Sequence, residues 1–144
     1  MKNIIKSFLF IHLLLLSNIS FAQDITVEML NKQGDEVMVY SKKIIRINVG
    51  EKVLWKSTDP GHNVEFIPGG VPEGVSDFRS NMSKDAEYKF DKPGIYAYQC
   101  TPHKVMGMIG FVVVGNDKSN LEAIKKIKYM GLSKKVASQL IPQL

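Results

Sequence analysis

Cysteine and histidine are scarce in this chain, whose 144 residues include one cysteine and three histidines. A single cysteine excludes an internal disulfide, so the thiol of Cys100 is free, paired with another chain or bound to a metal. The formal net charge is only +5, and the basic residues form no stripe interleaved with aromatic side chains. This composition gives no indication of binding to nucleic acid.

The first 22 residues have the composition of a secretory signal peptide. Two lysines near the start precede an apolar run from Phe8 to Leu16, and residues 20–22 place small side chains before a cleavage site. We therefore predict that residues 1–22 are removed on export and that the mature protein begins at Gln23. The apolar run is too short to cross a membrane comfortably, so we expect no stable membrane association.

Removal of the leader would leave residues 23–144, which we predict to form one domain. His12 would leave with the leader, and the loss of two lysines would lower the formal net charge from +5 to +3. Such a mildly basic protein suits electrostatic steering toward an acidic protein surface.

Short alternating segments separated by turn residues predict an antiparallel β-sandwich for the first part of this domain. In the segment Asp24 to Leu30, every second residue from Ile25 is apolar. We predict the other strands at Glu36–Tyr40, Lys43–Val49, Lys52–Ser57, Gly61–Phe66, Glu87–Phe90, Ile95–Cys100 and Met108–Val114. Residues 68–84 lack clear periodicity, and we expect a loop there with at most one helical turn.

After Gly115 the apolar spacing becomes helical, and we predict two helices within about residues 118–142. Asn116 or Asp117 is expected to cap the first helix, and Ser133 the second. The apolar faces of the two helices hold Leu121, Ile124 and Ile127, and Val136, Ala137 and Leu140. Such helices either cover one side of the body or bind a partner, and we favour the first alternative.

The one cysteine and the two histidines of the mature chain all lie in residues 61–63 and 100–108. Cys100 ends a predicted strand, and His103 follows three residues later in a loop that an intervening proline stiffens. His62 reaches the same place from a different strand. One thiolate, two imidazoles and a weak axial thioether form the ligand set of a mononuclear blue-copper electron-transfer site. The sequence therefore predicts a copper site.

Two methionines could supply the axial thioether of this site. Met106 gives the spacing Cys-x2-His-x2-Met, and Met108 gives Cys-x2-His-x4-Met. We favour Met108 because the longer loop places it at the beginning of the last strand, where its backbone is fixed. Met106 would then pack beside the site, which is an ordinary role for methionine.

Asn63 is expected to support the ligands. Its amide can bridge the His62 segment to the Cys100 loop through Thr101, and a nearby backbone N–H can bond to the cysteine sulfur. Such contacts orient ligands and tune the reduction potential. The alternative is that Asn63 is an ordinary turn residue.

These segments together resemble the pseudoazurins, a family of small periplasmic cupredoxins. The resemblance covers nearly the whole mature chain, and the matching segments follow in the family's order. They are Met29–Lys32, Gly61–Glu65, Val71–Gly74, Cys100–His103 and Met106–Ile109. The two C-terminal helices are also similar to the pseudoazurin pattern, whereas plastocyanins and amicyanins lack them and amicyanins use the shorter methionine spacing.

The resemblance implies an eight-stranded antiparallel Greek-key cupredoxin sandwich with two C-terminal α-helices. It implies one type 1 copper per chain, bound at one end of the sandwich by His62, Cys100, His103 and Met108. It further implies a periplasmic one-electron carrier that cycles between Cu(I) and Cu(II) and is not an enzyme. Met38 matches the position of a methionine that packs near the exposed histidine in this family.

The implied partners are acidic redox proteins, such as a copper nitrite reductase or a c-type cytochrome, that dock near His103. The family's ring of lysines is thinner here, since Pro60 and Gln99 stand where lysines are common. Basic residues remain at Lys32, Arg79 and Lys104. We expect a monomer, because the docking face of an electron carrier must stay free.

Two other functions use the same residues. A copper carrier or storage protein would exchange its copper readily, but such sites usually contain several methionines or cysteines and an open position. A cysteine hydrolase would use Cys100 and His103 with Asn63 as the orienting group. That arrangement offers no evident oxyanion site, and a base three residues from its nucleophile in a tight loop is poorly placed.

Overall fold

Alternating apolar side chains build two four-stranded β-sheets in the computed structural model, which describes residues 25–144. The predicted signal peptide and the predicted mature terminus at Gln23 lie outside the described residues. Within residues 25–144, every helix is too short or too polar to cross a membrane.

Within residues 25–144 the structure has eight strands near the predicted positions, although the predicted strand Gly61–Phe66 is limited to its last two residues. They are β1 Ile25–Gln33, β2 Glu36–Tyr40, β3 Ile44–Ile47, β4 Lys52–Lys56, β5 Glu65–Phe66, β6 Ala86–Lys89, β7 Gly94–Gln99 and β8 Ile109–Val114. One sheet has the order β2-β1-β4-β6, and the other has the order β3-β8-β7-β5. The predicted sandwich is thereby confirmed, and residues 68–84 form the expected loop without a helix.

The predicted antiparallel sandwich contains two parallel strand pairs. Strands β1 and β4 pair in parallel, and so do β3 and β8. The other strand pairs are antiparallel. Antiparallel partners such as β1 and β2 can be joined by a tight turn, whereas each parallel pair is connected through intervening strands.

The space between the two sheets is filled by apolar side chains, among which aromatic rings are prominent. Val27 and Met29 are fully buried, as the alternation in β1 predicts. Trp55 lies at the centre of an aromatic cluster, with its ring centroid 5.2 Å from that of Tyr98. The ring of Tyr40 also contacts that of Tyr98, at 4.8 Å between centroids. These three rings belong to the same buried apolar cluster as Cys100.

The two predicted helices, α1 Leu121–Lys126 and α2 Leu132–Leu140, cover the outer face of the second sheet. Their buried residues form a second apolar cluster with side chains of β7 and β8. That cluster includes Ile124 and Ala137 together with Ile95, Ala97, Ile109, Phe111 and Val113. The expectation that the helices cover the body is confirmed.

The predicted helix caps are wrong, because the two helices begin at other residues. The N-cap position of α1 is Asn120 rather than Asn116 or Asp117. The amide of Asn120 accepts a bond from the backbone N–H of Ile95 and donates one to its carbonyl. Ser133 lies inside α2, which follows Gly131, and its hydroxyl donates to the carbonyl of Lys104. Helix α2 is thereby bonded directly to the loop between β7 and β8.

Candidate metal centre

The side chains of His62, Cys100 and His103 converge at one end of the sandwich, with their potential ligand atoms within 4.8 Å of one another. The Nδ1 atoms of the two histidines are 3.1 Å apart. The sulfur of Cys100 lies 3.7 Å from Nδ1 of His62 and 3.5 Å from Nδ1 of His103. Three donor atoms thus face one small volume, as the spacing of these residues predicts.

Backbone hydrogen bonds fold the loop from Cys100 to Met108 back on itself. The N–H of His103 donates to the carbonyl of Cys100 at 3.1 Å, and the N–H of Cys100 donates to the carbonyl of Met108 at 3.0 Å. Gly107 reverses the chain with a φ of 101°, in the left-handed region that favours glycine. These constraints hold the sulfur and the imidazole of the loop in fixed relative positions.

The two candidate methionines differ sharply in their surroundings. Met108 immediately precedes β8 and is 1% exposed, in the same apolar cluster as Cys100. Met106 lies in the 3₁₀ turn Lys104–Met106 and is 39% exposed. This difference supports Met108 over Met106 as the source of the thioether.

Asn31 is a supporting residue that sequence reasoning missed. Its side-chain oxygen lies 3.0 Å from Nε2 of His62, and its own backbone N–H donates to Asp59 at 2.7 Å. Because an amide oxygen only accepts, the proton of the His62 ring sits on Nε2 and the Nδ1 lone pair faces Cys100 and His103. Asn31 falls within a segment that resembles the pseudoazurins, but a contact across 31 residues leaves no local pattern.

The predicted bridge through Asn63 is confirmed. Its amide donates to the hydroxyl of Thr101 at 2.9 Å and accepts from the backbone N–H of Thr101 at 2.8 Å. The hydroxyl of Tyr40 donates to the carbonyl of Asn63 at 2.8 Å. The His62 segment and the Cys100 loop are therefore tied to each other and to the aromatic core.

Burial sets the protonation of the three groups. Desolvation lowers the pKa of His62, and the adjacent His103 lowers it further, whereas Asp59 opposes both. Desolvation also lowers the pKa of His103, so both imidazoles are neutral near pH 7. Burial raises the pKa of the Cys100 thiol, against hydrogen bonds from the backbone N–H groups of Asn63 and His103. A cation bound beside the sulfur would favour the thiolate.

The donor set fits copper. Neutral imidazole and thiolate are both suited to this metal, and a thioether at a longer distance completes the usual set. The site also meets the requirement that outer contacts orient the ligands, since Asn31 holds one ring and Asn63 holds the cysteine loop.

The sequence model of the copper-binding proteins of the plastocyanin/azurin family matches residues 27–115. A pseudoazurin of Paracoccus pantotrophus is 40% identical over 116 residues, which are 81% of this chain and 80% of that protein. The chain belongs to the pseudoazurins, within the plastocyanin/azurin family.

Solved pseudoazurin structures have the same fold. The pseudoazurin of Methylobacterium extorquens AM1 is 37% identical, with a TM-score of 0.81 over 84% of this chain and 98% of that one. The pseudoazurin of Hyphomicrobium denitrificans is 34% identical, with a TM-score of 0.80 over 85% and 98%. As a member of this family, the chain is a cupredoxin electron carrier, and its cofactor is copper.

Proposed function

We propose that this pseudoazurin is a periplasmic one-electron carrier whose copper is held by His62, Cys100, His103 and Met108. The convergence of three donor atoms at one end of the sandwich carries this proposal. Copper bound there supplies one-electron chemistry between Cu(I) and Cu(II). The proposal also includes removal of the signal peptide, residues 1–22, and a mature cupredoxin domain of residues 23–144.

The residues of the chain supply a preformed and largely dry site. His62 and Cys100 are fully buried, so water is kept from these ligand positions. Asn31 fixes the ring of His62, and Asn63 fixes the loop that follows Cys100. Because the donors are held before the metal binds, little rearrangement accompanies a change of its charge.

His103 is only partly buried, which supports electron entry and exit at this edge. Pro60, Pro102 and Val105 are exposed, and we propose that they form an apolar collar around His103. The burial of Cys100, by contrast, disfavours the cysteine-hydrolase alternative, because a nucleophile must reach its substrate.

The proposed partners are acidic redox proteins such as a copper nitrite reductase or a c-type cytochrome. Basic residues at Lys32, Lys104 and Arg79 would steer such a partner toward His103. A small apolar contact with a basic rim suits a brief encounter between a monomeric carrier and its partner. The docking face does not carry the full lysine ring, because Pro60 and Gln99 are uncharged.

Addition of one equivalent of Cu(II) to the purified mature protein tests the proposed function directly. We expect an intense thiolate-to-copper absorption band and a small copper hyperfine splitting in the electron paramagnetic resonance spectrum. A rhombic signal would further favour pseudoazurin-like axial coordination. A pale, ordinary Cu(II) spectrum, or no binding, would reject the electron carrier and favour the copper-carrier alternative.

Substitution of the two methionines by glutamine discriminates between the candidate axial ligands. We expect Met108→Gln to retain copper but lower its reduction potential, because the axial donor tunes that potential. Met106→Gln is the matched control and should change the potential little, since its side chain is partly exposed. Cyclic voltammetry and the optical spectrum provide the measurement. An unchanged potential and spectrum in Met108→Gln would reject Met108 as the ligand.

A further inference from the structure

The carboxylate of Glu65 makes a set of polar contacts beside the cysteine loop. Its side chain is 22% exposed. One carboxylate oxygen accepts from the hydroxyl of Thr101 and from the amide of Gln99, each at 3.1 Å. The other oxygen lies 3.9 Å from the guanidinium of Arg79. The described contacts therefore extend from an exposed arginine to the residue that follows Cys100.

In this chain of hydrogen bonds, the carboxylate fixes which group donates and which accepts at each step. An ionised carboxylate only accepts, so the hydroxyl proton of Thr101 points at Glu65. The hydroxyl oxygen of Thr101 is then left to accept, and it receives the side-chain N–H of Asn63 at 2.9 Å. With its nitrogen so placed, the Asn63 amide presents its oxygen to the backbone N–H of Thr101 at 2.8 Å. The negative charge of Glu65 thus selects one orientation of the Asn63 amide.

We propose that Glu65 is a positioning residue for the copper site, acting through Thr101 and Asn63 on the loop that carries Cys100. Without the carboxylate, the Thr101 hydroxyl is free to donate toward Asn63, and the Asn63 amide is free to turn over. The turned amide would direct its own N–H groups at the backbone N–H of Thr101, which would lose its acceptor. The part of this inference that concerns copper rests on the proposed function, whereas the part that concerns the loop does not.

The conservative variant Glu65→Gln tests the role of the charge. Glutamine keeps the length of the side chain but is neutral, and its amide can donate a hydrogen bond as well as accept one. In the metal-free protein we expect hydrogen exchange at the Thr101 amide to accelerate by roughly tenfold, as expected when a local bond opens more often. Glu122→Gln is the matched control, since it removes a different ion-paired carboxylate, which lies on α1 and pairs with Lys125. Exchange at Thr101 that is unchanged in Glu65→Gln, or equally fast in Glu122→Gln, would overturn the proposal.

The copper-loaded protein gives the second measurement. We expect Glu65→Gln to shift the thiolate-to-copper band and to move the redox equilibrium toward Cu(I) by roughly fivefold, since a nearby negative charge is lost. In a Thr101→Val background, the band shift caused by Glu65→Gln should vanish if Glu65 acts through Thr101. A band shift of the same size in both backgrounds would show a charge effect alone and overturn the positioning role. If wild-type protein gave no blue band while the exchange effect persisted, the proposed function would fail and the role of Glu65 in the loop would stand.

Discussion

Replacement of Cys100 by serine will abolish the intense visible absorption of the copper-loaded protein while leaving its fold in place. The band depends on charge transfer from a thiolate, and the chain contains no second cysteine that could replace it. Serine is close to cysteine in size, and the backbone N–H groups of Asn63 and His103 remain available to its oxygen. We therefore expect the substitution to cost less than about 2 kcal/mol of folding free energy.

Copper affinity should fall further than the roughly 10- to 100-fold that loss of an outer supporting contact typically costs. Optical titration with Cu(II) gives the band and the affinity, and urea unfolding of the metal-free protein gives the stability. The fluorescence of Trp55, the single tryptophan, reports that unfolding. Persistence of the blue band in Cys100→Ser would mean that the proposed ligand set is wrong.

Local patterns in the sequence were sufficient to predict most of the sandwich and the identities of the converging residues. Alternation with a period of two predicts strands, and the buried positions Val27 and Met29 follow from it directly. The spacing of Cys100 and His103 likewise predicts that their side chains converge, because a short loop with a proline allows few conformations. His62 joins the predicted ligand set because the mature chain has only one other histidine. The predicted strand Gly61–Phe66 is nevertheless too long, since β5 begins at Glu65 and His62 lies in the loop before it.

Contacts between distant segments account for what the sequence did not reveal. Asn31 and His62 are 31 residues apart, and Glu65 and Thr101 are 36 apart. The failed prediction of Ser133 as a helix cap has the same cause, since its hydroxyl bonds to Lys104, 29 residues away. A side-chain oxygen follows capping rules only where the tertiary structure offers no better partner. These are the contacts that orient the site.

A methyl group at Gly110 will destabilise the protein strongly. Gly110 pairs with Tyr98 across β7 and β8, and an added Cβ would lie 2.4 Å from the ring carbon that bears the hydroxyl of Tyr98. Tyr98 cannot move aside easily, because its ring is fully buried and contacts the rings of both Tyr40 and Trp55. We expect Gly110→Ala to lower the free energy of unfolding by about 3 kcal/mol, at the upper end of the usual cost of overpacking.

The variant Gly34→Ala separates this steric effect from backbone strain. Gly34 has a φ of +60°, but nothing lies within 4 Å of its added Cβ, so its cost should be only about 1 kcal/mol of backbone strain. Urea unfolding followed by Trp55 fluorescence measures both variants in the metal-free protein. Equal losses in the two variants would contradict the packing argument, since only one of them crowds Tyr98.

We expect Gly110→Ala to alter the copper site as well. A displaced Tyr98 pushes on Tyr40, whose hydroxyl donates to the carbonyl of Asn63. Since Asn63 holds the loop that follows Cys100, the thiolate-to-copper band of Gly110→Ala should shift, whereas that of Gly34→Ala should not. A destabilised Gly110→Ala protein with an unaltered band would show that the aromatic core supports the fold without positioning the ligands.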